Sequence, residues 1–474
     1  MDQELKNLIL KTISPSSEEN NRINKTVELL KDTLKQKLDG SKIEANYIEA
    51  QGSTGKKQTH LAGDSDIDLF VALNKKHYKG FMDKEVKSDI YKEAKELFSK
   101  LCHEIFIPSL KDINAKNIKL TYAEHPYVSA EINAFKIDVV GCFDLDNSFI
   151  KKNGPITAVD RTPHHSNFIK NNLNDRMRDD VRILKAFFQA SHAYGDKSAI
   201  GRFGFTGFIS ELLIYHFKTI ENLFDSFSDI PSNPIDFFDR SGKKLEKINR
   251  FENDYFIVID PIDKNRNAAA SVSRRAFLHI DRKIDQFRAD PNINFFVKKE
   301  IPIIEDINDE LKNHYTILEF NSDGSRHYTE VRDKLYKLAN SIKIQLESES
   351  TKEIRFGKTF FEVYFEDKIF SLAFHTEKGK ISDTYKRVGP PVKLKKNFRK
   401  FKNKHPDLFI ENGRAYVMEK REFTDQKDLI NNYINDHGLF SGINLEHISS
   451  FGITEVGKRV FYIMKEMVLP IELD

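Results

Sequence analysis

Two cysteines, Cys102 and Cys142, are all that the 474 residues contain, which excludes a disulfide framework and a thiolate zinc cluster. Any metal must then be held by oxygen ligands, and a reducing compartment is expected. No long uninterrupted apolar run occurs, so no membrane span is expected. Met1 to Lys11 mixes charged and apolar residues without a basic segment followed by an apolar one, so no secretory signal is read and the expected location is the cytoplasm. Excess charge of one sign is missing too: 75 Lys and Arg stand against 72 Asp and Glu, a net charge of +3. A polyanion would have to be gripped by a local patch rather than by the field of the whole molecule.

What is present supports packed cores, with 39% hydrophobic and 31% charged residues. At roughly 150 residues per domain the length predicts about three domains. One local patch stands out: Lys393 to Lys404, KLKKNFRKFKNK, places seven Lys or Arg among twelve residues, interrupted by Phe398 and Phe401. A solvated helix face with two aromatics turned inward and a phosphate-binding strip both fit that composition.

The coarse pattern is α+β and multidomain. Ser16, Ser17, Glu18 and Glu19 after Pro15 start a helix as an N-cap followed by acids, and Val27 to Leu38 carries apolar residues at helical spacing. Ile90, Ala94, Leu97, Leu101 and Ile105 predict an amphipathic helix over Lys87 to Ile105, with Cys102 in its core. Ile67 to Leu73 and Phe135 to Val140 alternate as strands, each setting a carboxylate opposite an apolar face. Asp179 to Ala193 and Phe208 to Phe224 read as helices, and Ser226 to Asn249 as a loop or insertion. Further on come a strand at Tyr315 to Phe320, a helix at Tyr328 to Ile342, and strand candidates at Ile354 to Phe356, Phe360 to Phe365 and Ile369 to Phe374. That order suggests a small layer of sheet on helix.

The densest chemical signal is Gly52 to Asp68, GSTGKKQTHLAGDSDID. Asp66 and Asp68, two apart on a strand, project to one side, where both can ligate the same cations as phosphoryl transfer with Mg²⁺ requires. Asp138, on an adjacent strand, is the natural third carboxylate. Gly52 and Ser53 supply a turn whose N–H groups can approach a triphosphate, and Lys56 and Lys57 supply positive charge. A calcium loop starting at Asp64 would need glycine and glutamate where Leu69 and Lys75 stand, so that reading fails. Lys185 precedes Tyr194 by nine residues, about 2.5 helical turns, so the pair can line one side of a cleft; a surface lysine and a packing tyrosine are the plain alternative. His164 and His165, adjacent on a helix, make a poor metal site, and a hydrogen bond from His165 to phosphate is the better reading.

These motifs resemble the archaeal-type (class I) CCA-adding enzymes of the DNA polymerase β superfamily. The resemblance rests on the Gly-Ser turn, GDSDIDLF, YAEHPYV from Tyr122 to Val128, and KIDVV, and it runs on through AVDRTPHH, VRILKAFF, GFTGFISELL, DPIDKNRNAAASVS, RVGPP and FIENGRAYV in the family's order. It implies a polymerase-β-like nucleotidyltransferase head over 1–150, a helical neck over 151–290, and an α+β body and tail over 291–474 that binds tRNA. It further implies metal-binding, catalytic carboxylates at Asp66, Asp68 and Asp138, with Asp66 where the family commonly has Glu. Nucleotide contacts are implied at Ser53, His165, Lys185 and Tyr194, and at Lys56 or Lys57, since the stretch carries one extra residue. Arg266 resembles the arginine that reads the base; an ion pair to Asp260 or Asp263 is the structural alternative.

The implied activity is addition of C and A to a tRNA 3′ end from CTP and ATP, with Mg²⁺ and without a nucleic-acid template. The implied partners are the tRNA acceptor arm and, as a homodimer, a second copy of the chain. Another transferase of the superfamily, such as a poly(A) polymerase or an oligoadenylate synthetase, and an RNA-binding protein with a decayed transferase head are the competing readings.

Overall fold

The computed structural model describes residues 1–77, 79–81, 87–122, 125–240, 245 and 251–473. Part of the Tyr122 to Val128 motif and the end of the Ser226 to Asn249 stretch therefore lie outside the described residues. The chain groups into two compact units, one of Met1–Ser191, Phe205–Ser271 and Lys283–Lys298, the other of His192–Gly204, Val272–Arg282 and Lys299–Asp474. Most of the segments expected as head and neck thus fall in the first unit.

In the first unit, α1 (Gln3–Ile13) and α2 (Ser17–Asp39) precede β1 (Ala45–Ala50) and β2 (Ile67–Leu73). Ser16 caps α2 by accepting the Glu19 N–H at 3.0 Å, as its place before two acids predicts. Then come α3 (Lys87–Leu101) and α4 (Ile107–Asp112), followed by β3 (Lys116–Tyr122), β4 (Pro126–Ile132) and β5 (Phe135–Phe143). The helix expected to run straight to Ile105 instead widens into a π-turn at Cys102–Phe106, where the Ile107 N–H reaches back to the Cys102 carbonyl. Pro108 follows with no N–H of its own to continue the regular pattern. The sheet order is β1-β2-β5-β4-β3, antiparallel except for the central pair β2 and β5.

One face of this sheet packs on α2 and α3. Ile67, Leu69, Val71 and Leu73 of β2 and Ile137 and Val139 of β5 join Leu30, Leu34, Phe98 and Leu101 in one core. Gly141 is required there, because a Cβ would stand 2.5 Å from the Phe98 ring. The opposite face is also covered: Phe70, Ala72, Val140 and Cys142 form a smaller buried cluster. Asp68, near the start of β2, and Asp138, in the first half of β5, are the carboxylates of these two central strands.

After the sheet come α5 (Asn147–Asn153), α6 (Thr162–Asn172), α7 (Asp175–Ala190), α8 (Gly207–Phe217) and α9 (Ile220–Ser226). The single helix expected over Phe208 to Phe224 is two, broken at Lys218 with φ +72° and restarted by the Thr219 cap. Phe187 and Phe188 of α7 pack among Phe205, Phe224 and Phe296. Burying each such ring contributes roughly 1.5–3 kcal/mol.

The second unit contains β6 (Tyr315–Ser322), β7 (Thr359–Glu366), β8 (Ile369–Thr376), β9 (Thr384–Pro391), β10 (Phe409–Glu411), β11 (Arg414–Lys420) and β12 (Ile443–Ser449). An antiparallel sheet in the order β12-β6-β8-β7 packs on the helix Tyr328–Glu347, the expected layer of sheet on helix. Ile354 to Phe356 is not a strand: Ile354 makes one bridge to Ser348 and is 72% exposed. A second sheet, β10-β11-β9, carries the helix Lys395–Lys404. That helix holds six of the seven cations of the basic patch, with Lys393 just before it: all seven are exposed and Phe398 and Phe401 are half-buried, with Phe401 against Gly389. Among the described residues, none of the seven pairs with a carboxylate. No described helix is long and apolar enough to cross a membrane.

Candidate active site

The parallel pairing of β2 and β5 puts Asp68 directly beside Asp138, and the antiparallel pairing of β4 puts Ser129 on the other side of Asp138. The Ser129 hydroxyl donates to Asp138. Asp66 sits just before β2, and Lys136 lies 3.6 Å from it and 3.5 Å from Asp138. Burial first, then the Asp138 and Asp66 charges, push Asp68 up to about 6. Burial likewise raises Asp66, against the pull of Lys136. Among the described residues, no three acid, histidine or cysteine side chains stand already arranged to hold a metal ion. The donor set nevertheless fits one, being all hard carboxylate oxygen with mutual repulsion that a divalent cation would relieve.

The turn after β1 is fastened onto these acids. Gln51 N–H donates to the Asp68 carbonyl at 2.8 Å, and the Thr54 hydroxyl donates to the Asp66 carbonyl at 2.7 Å. Gly52 has φ +67°, and a Cβ on it would stand 2.4 Å from Asp68 Oδ2. Ser53 is half-buried, its carbonyl accepting the Thr59 N–H at 3.0 Å.

The two lysines that the sequence left as alternatives have different surroundings. Lys56 is bonded to Glu49 at 2.5 Å and to Asn167 at 3.1 Å. Lys57 is buried, 2.8 Å from Glu211 Oε2, with its ammonium over the Phe208 ring. Its charge also acts on Asp68, opposing the rise in that carboxyl's pKa. Lys185 is buried on α7, donating to the Thr59 carbonyl at 2.9 Å and hydroxyl at 3.0 Å, and lying 3.8 Å from Glu211. Burial lowers it to about 8, with Glu211 opposing and Lys57 and Arg182 assisting. From the same face of α7, Arg182 donates to the Gln58 carbonyl and Gln189 to Asp64.

His165 and Arg266 meet at one carboxylate. Asp260, fully buried, lies 2.8 Å from His165 Nε2 and 2.9 Å from the Arg266 guanidinium. Despite burial, His165 and then Arg266 hold Asp260 down at about 2. The Arg266 to Asp260 ion pair posed as the structural alternative is thus present, and Arg266 remains 36% exposed beyond it. The His165 ring lies against Phe208, 4.2 Å between centroids. Tyr194 belongs to the second unit, half-buried just before the short helix Gly195–Lys197, where Gly204 packs on its backbone.

Residues 179–297 match the family described as tRNA nucleotidyltransferase, second domain, and residues 329–451 match the CCA-adding enzyme, C-terminal domain, together about half of the chain. A CCA-adding enzyme of Methanocaldococcus jannaschii is 29% identical over 94% of this chain and 92% of its own length. The chain belongs to the archaeal-type CCA-adding enzymes. Another relative of that name, from Saccharolobus islandicus, is 26% identical over 89% of this chain and 90% of its own. Among solved structures, that of Cid1, described by its RNA terminal uridylyl transferase activity, is similar over 63% of this chain and 99% of its own, at 14% identity and a TM-score of 0.45.

Glu211, Thr59 and Lys136 surround the expected contacts of this CCA-adding family member without having been singled out from sequence, and Asp260 was named only as a partner for Arg266, not for His165. Glu211 and Asp260 lie inside motifs that carry the resemblance, and an acid within an apolar helix such as GFISELL is a usable signal of a buried charge partner. Arg182, Lys185 and Gln189, at three- and four-residue spacing, mark the loop-facing side of α7 in the same way.

Proposed function

We propose that this protein completes the 3′ end of tRNA, adding C, C and A in turn from CTP and ATP without a nucleic-acid template. The single observation that carries the reading is the alignment of Asp68 with Asp138 in register on the central strands, with Asp66 alongside and the Gly52 turn fastened to them. Asp66, Asp68 and Asp138 would hold Mg²⁺, which when bound supplies charge to the triphosphate and acidifies the attacking hydroxyl. The backbone N–H groups of the Gly52–Ser53 turn and the side chains of Ser53, Lys57, His165 and Lys185 hold and orient the nucleotide. Lys57 is the better of the two neighbouring lysines, because it shares Glu211 with Lys185, another expected nucleotide contact, whereas Lys56 pairs with Glu49 apart from that cluster.

The RNA 3′-oxygen bonds to the α-phosphorus, the bond from that phosphorus to the bridging oxygen breaks, and diphosphate leaves. The hydroxyl proton passes to water. Arg266, anchored on Asp260 yet partly exposed, presents its planar donors to the base edge. The exposed cations of Lys393 to Lys404 would bind tRNA phosphates.

The test is extension of three labelled tRNAs, ending before CCA, after C and after CC, with CTP, ATP or both. Two C additions, then one A and arrest, lost in Asp68→Ala and Asp138→Ala, is the expected result. Open-ended A addition would move the protein to the poly(A) polymerases.

A further inference from the structure

Glu211 is 1% exposed, yet its carboxylate is met by two ammonium groups. Its partners come from different elements: Lys57 at 2.8 Å and the Thr59 hydroxyl at 2.7 Å from the loop after β1, and Lys185 at 3.8 Å from α7. A self-contained buried ion pair would match one cation with one anion, because unpaired buried charge is costly. Here two cations share one anion, whereas the neighbouring Arg182 is itself paired with Asp179 at 2.8 Å. Around Glu211 itself the balance is one positive charge over, carried in part by Lys57 on the loop that starts at the Gly52 turn. Such a cluster is incomplete without a further anion.

One turn earlier on α8, Phe208 lies between the same Lys57, whose ammonium is 5.0 Å from the ring centre, and the His165 ring. A single turn of helix thus locates groups from α6, from α7 and from the loop after β1. We propose that Glu211 is a positioning residue for nucleotide binding, acting through Lys57 and Lys185 by fixing where their ammonium groups meet the triphosphate. This rests on the reading above that those two lysines contact the nucleotide.

Glu211→Gln keeps the shape and an acceptor oxygen while removing the charge. Its expected effect is a rise of roughly 10- to 100-fold in the dissociation constants of ATP and CTP, measured by equilibrium titration, with the KM for tRNA unchanged. The alkaline limb of kcat/KM for nucleotide is also expected to move to lower pH. Lys185 is faced by Glu211, Lys57, Arg182 and Asp64, and Glu211 is the principal charge keeping it protonated. Parallel losses in nucleotide and tRNA affinity, or a lower melting temperature with nucleotide affinity intact, would overturn the proposal and leave Glu211 a packing residue. If Glu211→Gln does not fold, Thr59→Val keeps the charge but removes one donor, and is expected to weaken nucleotide binding less, with no shift of the limb. Unchanged nucleotide binding in that variant would count against the proposal. Titration separates this outcome from the function itself: a wild-type chain that binds ATP and CTP but extends no tRNA would overturn the tRNA reading, not the role of Glu211.

Discussion

Asp68 and Asp138 stand side by side across the parallel pair of β2 and β5, and their mutual repulsion adds to burial in raising Asp68 to about 6. Adjacent strands are only about 4.8 Å apart, so two ionised carboxylates there destabilise the fold they sit in. Asp68→Asn is expected to raise the melting temperature by a few degrees while lowering nucleotide incorporation by about 10³-fold or more. Adding Mg²⁺ should raise the melting temperature of the wild type and not of the variant. Calorimetry with and without Mg²⁺ reads both effects, and a variant less stable than wild type would contradict the argument.

Gly52→Ala places a methyl 2.4 Å from Asp68 Oδ2 and forces φ +67° on a residue that disfavours it. The turn must then move away from the acids. Incorporation is expected to fall about 100-fold, since a displacement on the order of 1 Å has that effect at a reacting centre. Circular dichroism should show an unchanged fold, and an active Gly52→Ala would mean that the turn does not meet the triphosphate.

The lowered value of Lys185, about 8 against an ordinary 10.5, gives a pH dependence with opposite signs for stability and binding. Its burial as an ammonium costs stability below about pH 8, and that cost fades as the pH rises from there toward 10.5. Nucleotide capture should fall over the same rise, so kcat/KM for ATP is expected to drop above about pH 8. Lys185→Arg should carry the limb to higher pH, because guanidinium stays charged. An unmoved limb in that variant would assign the titration elsewhere.

Asp260 is held at about 2 by His165 and Arg266 against the opposing effect of burial. Its folded value lies below its unfolded one, so its contribution is complete above about pH 4 and is lost as the pH falls toward 2. The size is about 2 kcal/mol. Asp260→Asn is expected to flatten that acid limb of stability in denaturant titrations. It should also relax nucleotide choice about tenfold, through Arg266, in competition assays with UTP or GTP.

Replacing Lys396, Arg399 and Lys400 with Glu, all on the exposed helix Lys395–Lys404, should weaken tRNA binding and lower its salt dependence. Each lost phosphate contact reduces the logarithmic salt slope by about 0.7–0.9. Filter binding across a salt series checks this; an unchanged slope would mark the helix as merely solvated.

Alternation made β2 and the start of β5 readable, because a residue's face on a strand depends on its neighbours two positions away. The bounds Ile67–Leu73 follow from it directly. The burial of both faces of the sheet did not follow, since Phe70, Ala72, Val140 and Cys142 are covered by residues distant in sequence. Lys185 was readable as a charged residue on a helix, whereas its bond to Thr59 was not, because 126 positions separate them. The break at Lys218 was hidden by apolar residues that continue at helical spacing across it.

By itself the sequence determined the kinds of group available: oxygen rather than sulfur ligands, carboxylates paired along a strand, and a glycine-led turn just ahead of them. Those depend on composition and on contacts within a few residues, which the chain carries wherever it goes. Tertiary structure alone decided that Asp68 lies beside Asp138, that Lys57 and Lys185 share Glu211, and that His165 and Arg266 share Asp260. The reason is that a charge takes its pKa and its partner from whatever packing places within a few ångströms, and strand register and helix docking, not sequence distance, set that neighbourhood.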